Sequence, residues 1–175
     1  MEPRAGTVLV ATTALTDPNF AAAIVYLLEH GDGGTLGLVV NRPLATTLGE
    51  VWSDAPAHLA HATMVATGGP VEPHKGLLLH GDPAIPAAQD LGGGVHIGGA
   101  IPDLLRRWPD GPDDLGPRLY LGHSGWAPGQ LDMEVQDGAW LVRPGRLAWL
   151  LAGAPDGLWE RLRTERGGLP EPSVN

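Results

Sequence analysis

Short apolar runs, turns marked by glycine and proline, and interleaved helix-forming stretches predict an α/β (α+β) fold. The expected form is one domain with a mixed sheet, some hairpins, and helices packed on the sheet. A length of 175 residues suits a single domain able to bury a substantial core. The 26 glycines and 17 prolines fall between apolar runs, where turns belong, and form no low-complexity block ahead of the C-terminus. Two apolar runs, residues 24–26 and 35–40, flank Gly31-Asp32-Gly33-Gly34, the pattern of a hairpin.

Thr7–Ala11 reads as a short buried strand. Asp17-Pro18 starts a turn, with Asp17 suited to capping and Pro18 to a first helical position. Residues 20–30 suit a helix through their alanine run and a strand through Ile24-Val25-Tyr26. The strand is preferred, because residues 35–40 need an immediate partner. Residues 46–52 read as a short helix capped by Thr46 or Thr47, with Glu50 early in it. Met64–Thr67 and residues 76–80 are strands around the turn Gly68-Gly69-Pro70. A loose loop leads to a strand at 94–97 and a helix at 101–108. A strand at 118–123, a helix at 128–136 and a strand at 139–142 follow. Helices at 145–151 and 156–166 close the domain, assigned to residues 1–166, and residues 167–175 read as a disordered tail. There is no internal repeat.

Composition narrows the function classes. Twenty acidic residues against eleven basic ones give a net charge of −9 with neutral histidines. Duplex DNA binding needs a concentrated basic face, and the pairs Arg106-Arg107 and Arg161 with Arg163 sit beside Asp103, Glu160 and Glu165. Cysteine is absent, which excludes disulfides and thiolate metal or redox sites. No apolar run reaches the roughly 18 residues of a membrane span, and the N-terminus shows no signal-peptide pattern. A soluble cytoplasmic protein is expected.

The densest motif is Gly122-His123-Ser124-Gly125-Trp126-Ala127-Pro128-Gly129-Gln130-Leu131. It reads as a strand-to-helix corner turning sharply at Gly125, with Ala127 as the helix cap and Pro128 as the first helical residue. A second motif, residues 36–44, ends a strand with Asn41-Arg42 held before Pro43. Gly122-His123-Ser124-Gly125 approaches a nucleophile elbow, but Trp126 fills the final glycine position. His123 and Ser124, adjacent on a strand, would also point to opposite faces. Gly92-Gly93-Gly94 lacks the lysine of a phosphate loop. His80-x-Asp82, with His30 or His96, has ligand-type atoms but no metal signature, so neither metal nor cofactor is expected.

These motifs resemble the YqgE/AlgH family of bacterial proteins. The resemblance rests on Leu15, Asp17, Pro18 and Phe20, on Glu29-His30, and on residues 37–43. It continues through Gly68-Gly69-Pro70-Val71, His80, and Gly125-Trp126 with Gly129-Gln130-Leu131 and Glu134 or Asp132, to Trp140. Thr12-Thr13 replaces the usual Met-Pro, and His123-Ser124 replaces Tyr-Ala. Such proteins are often labelled transcriptional regulators, and the resemblance implies no defined reaction.

The candidate ligand-binding residues are Asn41, Arg42, Trp126, Gly129, Gln130, Glu134 and His80, and the catalytic residues stay unassigned. Arg42 leaves a rigid strand end, the amides of Gly129 and Gln130 lack a side-chain cap, and Trp126 supplies an apolar wall, which together suit a carboxylate or phosphate. The structural alternative pairs Arg42 with Glu29, Glu50 or Glu134 and lets Asn41 tie down a turn. The leading reading is a non-enzymatic regulatory protein binding a small anionic ligand or a protein partner. An enzyme such as a hydrolase around Arg42, Gln130 and Glu134 stands second, and a DNA-binding regulator third.

Overall fold

A computed structural model describes residues 1–165. The expected tail, and the last residue of the closing helix, lie outside the described residues. Ten strands and six short helices run in the order β1 (Thr7–Ala11), β2 (Ile24–Gly31), β3 (Gly34–Val39), β4 (Pro43–Thr47), α1 (Leu48–Val51), α2 (Ala57–Ala60), β5 (Met64–Thr67) and β6 (Val71–His80). There follow β7 (Gln89–Gly92), β8 (Val95–Ile97), α3 (Ile101–Arg107), β9 (Arg118–Trp126), α4 (Gln130–Gln136), β10 (Trp140–Pro144), α5 (Leu147–Leu151) and α6 (Leu158–Thr164). The strands form one sheet ordered β10-β1-β2-β3-β9-β6-β8-β7, with β5 on β9 and β4 on β5. The β5–β9 ladder is parallel and the others are antiparallel, so the sheet is mixed as expected. No helix among the described residues is long and apolar enough to cross a membrane.

The continuous apolar run in β1 follows from coverage on both faces. Val8 and Val10 join Ile24, Tyr26 and Leu38 beneath α5 and α6, while Leu9 and Ala11 join Val25, Leu27, Trp126 and Trp140 beneath α4. Side chains alternate across a strand, so a strand buried on both sides has no position free for a polar residue. A third cluster packs Leu48, Leu59, Leu104 and Trp108 against Val65 and Leu119. The preference for strand over helix at residues 20–30 holds. β2 and β3 form a hairpin in which Gly31 pairs with Gly34, leaving Asp32-Gly33 as the loop.

The structure departs from the sequence expectation in three respects. The helix at 46–52 starts only at Leu48. Thr47 is its cap, Glu50 accepts hydrogen bonds from the Thr46 hydroxyl and the Thr47 amide, and both bonds hold the Glu50 carboxyl below its ordinary pKa. Residues 43–47 are instead β4, whose Pro43 is tolerated at a strand's first position. Residues 57–60 and 89–92 form α2 and β7 in segments expected to be loops. The third departure is the motif at 122–131. Its glycines suggested a corner, yet Thr35, Leu36 and Gly37 pair with Trp126, Gly125 and Ser124 and keep β9 extended through Trp126. The turn comes later, at Gly129, whose φ of 80° makes it the left-handed cap of α4.

Gly125 is therefore an ordinary strand residue. The conformationally demanding glycine is Gly122, with φ of 75° at the point where β9 crosses Gly69. A Cβ on Gly122 would run into the Gly69 carbonyl and meet Pro73 Cα at 3.0 Å, whereas one on Gly125 would have Thr35 O at 3.8 Å as its nearest neighbour. Gly122→Ala should therefore lower unfolding stability by about 3 kcal/mol or more, combining left-handed strain with a backbone collision. Gly125→Ala should stay within about 1 kcal/mol of the native chain. Thermal unfolding of the two variants side by side reads the difference; equal losses would contradict it.

Candidate functional site

The seven candidate residues separate into three environments. Trp126, Gln130 and Glu134 form one of them, with two aromatic partners that sequence reasoning left outside the site. The Glu134 carboxylate accepts the indole N–H of Trp126 (3.1 Å) and of Trp140 (2.9 Å) on Oε1, and the Gln130 carboxamide (2.9 Å) on Oε2. The Gln130 Oε1 in turn accepts the Ala127 amide at 2.9 Å, so that amide is not open to a ligand. Phe20 stacks on Trp126 at 5.8 Å between ring centroids and meets Trp140 edge-on at 5.6 Å. Both tryptophans are buried, which makes Glu134 the anchor of an aromatic knot. The spacing of Trp126, Gln130 and Glu134 was legible, but nothing local joins Phe20 and Trp140 to them.

Asn41 and Arg42 lie between β3 and β4 and bind the loop before β2. The Asn41 Oδ1 accepts the Ile24 amide (2.8 Å) and its Nδ2 donates to the Ala22 carbonyl (2.9 Å), so Asn41 does tie down a turn. Arg42 pairs with none of the glutamates considered for it. Its two terminal nitrogens donate to the carbonyls of Pro18 (2.9 Å) and Ala21 (2.6 Å). The guanidinium also lines a hollow of about 350 Å³ with Asn19, Val39, Thr67, Gly69, Pro70 and Pro73. Gln130 and Glu134 line a different hollow of about 440 Å³, with Pro128, Gly129 and Met133. The single pocket expected around Arg42 and Gln130 is thus two environments, linked by the loop that carries Phe20. Asn19, Thr67 and Gly69 escaped sequence reasoning, although Gly68-Gly69-Pro70 stood out as a turn.

His80 joins neither group. It is fully buried at the end of β6, its ring 5.7 Å from His96 and 5.4 Å from Trp108. Its Nε2 lies 2.7 Å from the Gly98 carbonyl, and its Nδ1 accepts the Asp82 amide at 3.1 Å. A carbonyl only accepts and an amide N–H only donates, so the ring is the neutral Nε2–H tautomer. Burial pushes the His80 pKa below its ordinary value, with the Gly98 bond opposing and the neighbouring His96 adding to the effect. Next to it Arg107 bridges Asp82 and Asp113, each at 3.1 Å. Burial disfavours the Asp113 carboxylate, but bonds from the Trp108 indole, the Leu115 amide and Arg107 outweigh it and hold that pKa low. No group of three or more His, Asp or Glu among the described residues is arranged to hold a metal ion.

An open cleft of about 770 Å³ lies between the β2–β3 hairpin and β9. Glu29, His30, His123 and Trp126 line it, beside the glycines of the hairpin. The His30 Nδ1 sits 2.6 Å from the Thr35 hydroxyl, and its Nε2 sits 3.4 Å from Asp132. Ser124, next to His123, is buried and donates to the Gly68 carbonyl at 3.0 Å, so the two side chains do part company as adjacent strand residues should.

A family described as AlgH-like matches residues 8–171. The chain belongs to the AlgH-like family. A UPF0301 protein of Streptomyces coelicolor is 35% identical over 184 residues, covering 97% of this chain and 94% of that protein. One from Xanthomonas axonopodis pv. citri is 32% identical over 167 residues, covering 90% and 86%. The solution structure of the AlgH protein from Pseudomonas aeruginosa superposes with a TM-score of 0.68 at 33% identity, covering 93% of this chain and 89% of that one. A crystal structure of a Corynebacterium diphtheriae protein gives 0.72 at 24% identity over 96% and 90%, a likeness of fold. In this AlgH-like chain, the motif residues Gln130, Glu134 and Trp126 build the knot just described, and Asn41 and Arg42 fasten the loop that completes it.

Glu134→Ala should orphan two buried indole N–H groups and lower stability by about 2–4 kcal/mol. Glu134→Gln keeps an accepting oxygen and should cost less than half of that, with tryptophan fluorescence and chemical denaturation as the readouts. His80 carries a pH signature. Its folded-state pKa lies below the unfolded value, so the unfolded chain binds the proton first as pH falls. The stability that neutral His80 supplies is complete above pH ~6.5 and is lost progressively below it. Between pH 7 and pH 5, unfolding stability should fall less steeply in His80→Gln than in the native chain; parallel slopes would contradict this.

Proposed function

We propose that this AlgH-like chain is a non-enzymatic regulatory protein acting by contact, with a small anionic ligand seated against Arg42. The observation that carries the reading is the state of that guanidinium. It is docked rigidly on two carbonyls, no acidic side chain among the described residues ion-pairs with it, and the hollow it lines contains no carboxylate. A fixed cation with spare N–H donors in a neutral hollow selects a phosphate or carboxylate. The carbonyl anchors hold it in place, so a ligand need not order it.

The hydrolase alternative is weakened by the same geometry. Glu134 has both oxygens committed to the knot, Gln130 is committed at both ends, and the Ser124 hydroxyl is buried against a carbonyl. A nucleophile within reach of a base, the minimum for covalent hydrolysis, does not arise from these groups. DNA binding is weakened too. Arg106 pairs with Asp103, Arg107 with Asp82 and Asp113, and Arg163 with Glu160, so the clustered arginines bring their own counter-charges. The cytoplasm is part of the same proposal, resting on the family resemblance and the cysteine-free composition.

Titration of the ¹⁵N-labelled chain with inorganic phosphate tests the reading. Phosphate should move the amides of Asn19, Thr67 and Gly69, and Arg42→Gln should abolish the response while Arg42→Lys retains part of it. Both variants lose the paired carbonyl bonds and should be less stable by about 1–2 kcal/mol, leaving folded protein to assay. An undiminished phosphate response in folded Arg42→Gln, or shifts confined to other amides, would overturn it.

A further inference from the structure

The residues that line the Arg42 hollow meet on one face of the sheet. Val39 packs in the cluster that holds Leu9, Trp126 and Phe20, whereas its neighbours Leu38 and Val40 belong to the cluster on the opposite face. Ala66 lies in that opposite cluster too, so Thr67, the next residue of β5, faces the Val39 side. Arg42 is drawn to the same side by its bonds to Pro18 and Ala21, which flank Asn19 and Phe20. Gly69, Pro70 and Pro73, from the turn after β5 and the start of β6, complete the lining.

This surface offers one positive charge, two neutral polar side chains and a wall of carbon. An arginine carries five N–H donors, and the two carbonyl bonds of Arg42 leave three of them. The Asn19 carboxamide and the Thr67 hydroxyl make no hydrogen bond with any described residue. Val39, Pro70 and Pro73 present only carbon from their side chains, and no second cation is among the described residues that line the hollow. A phosphate dianion would find half its charge met there, in a chain of net charge −9. A carboxylate matches a single planar guanidinium in both charge and geometry. The volume of about 350 Å³, against about 30 Å³ for one water molecule, leaves room beyond the carboxylate. We propose, resting on the reading of Arg42 as an anion seat, that the ligand is a monocarboxylate with a compact apolar body. Its carboxylate pairs with the Arg42 guanidinium, with Asn19 and Thr67 as further donors, and its body packs on Val39, Pro70 and Pro73.

The test uses the ¹⁵N-labelled chain at pH 7.5 and low salt, with sodium benzoate, sodium acetate, sodium phosphate and the uncharged benzamide as probes. Benzoate should shift the amides of Asn19, Thr67 and Gly69 saturably and bind about tenfold or more tightly than acetate or phosphate. Benzamide, which keeps the ring and lacks the charge, should leave those amides in place. Arg42→Gln should abolish the benzoate response. Pro73→Ala, which trims an exposed ring, should weaken benzoate about threefold or more and leave acetate unchanged. Phosphate shifts at these amides with benzoate no tighter than acetate would overturn the carboxylate class and leave the anion seat standing. Silence from phosphate, acetate and benzoate alike would overturn the seat as well. Shifts from benzamide equal to those from benzoate, benzoate shifts confined to other amides, or unchanged benzoate affinity in Pro73→Ala would also overturn the proposal.

Discussion

The carbonyl of Gly68 is where the molecule is joined. It accepts the Val39 amide at 2.9 Å and the Ser124 hydroxyl at 3.0 Å, while the Gly68 amide donates to Leu121 at 2.8 Å. Three strands, β3, β5 and β9, are thereby fixed to one residue. The close approach works because Gly68, Gly69 and Gly122 present bare backbone to one another. Everything beyond this crossing depends on it. The first half of β9 pairs with β5 and β6, the second half with β3, and the kink at Gly122 lets one strand serve both parts of the sheet.

Arginine use is the second organising theme. Arg118 is buried and donates to the Val40 carbonyl (3.2 Å) and the Tyr120 hydroxyl (2.8 Å), and that hydroxyl passes a hydrogen bond to Leu150. Burial pushes the Tyr120 pKa up to about 12, against the opposing influence of Arg118, so the phenol stays a donor. Arg143, also buried, donates to the carbonyls of Leu162 and Glu165 and closes the C-terminal end of α6. Arg42 does the same for the loop before β2. Three cations in an acidic chain thus satisfy backbone oxygens, and the one at the surface lines a hollow. That division separates architectural arginines from the one proposed to meet a ligand.

The loop at residues 17–23 couples these themes. Asp17 accepts the Asn19 amide, Asn41 and Arg42 bind the loop's carbonyls, and Phe20 is delivered onto Trp126 and Trp140. The aromatic knot and the Arg42 hollow therefore share one segment, which Asn41 and Arg42 hold by its carbonyls and Phe20 ties to the two tryptophans.

Local chemistry was legible in the sequence and non-local chemistry was not. The fold class, the family, the β2–β3 hairpin, the turn at Asp17 and the Thr47–Glu50 capping box each depend on residues within a few positions of one another, and periodicity and turn chemistry report such interactions directly. The roles of the chemical residues depended on partners far along the chain. Arg42 offered a charge that a carboxylate or a ligand could equally claim, and only the fold brought it the carbonyls of Pro18 and Ala21. Glu134 could have been a catalytic acid until Trp126 and Trp140 converged on it. Glycines at 122–126 read as a corner because glycine permits turning, but Thr35 to Gly37 supplied the ladder that kept Gly125 extended and moved the bend to Gly129. Sequence determined which residues could turn, cap or carry charge; tertiary structure decided which did, because long-range hydrogen bonds and burial select one of several locally permitted states.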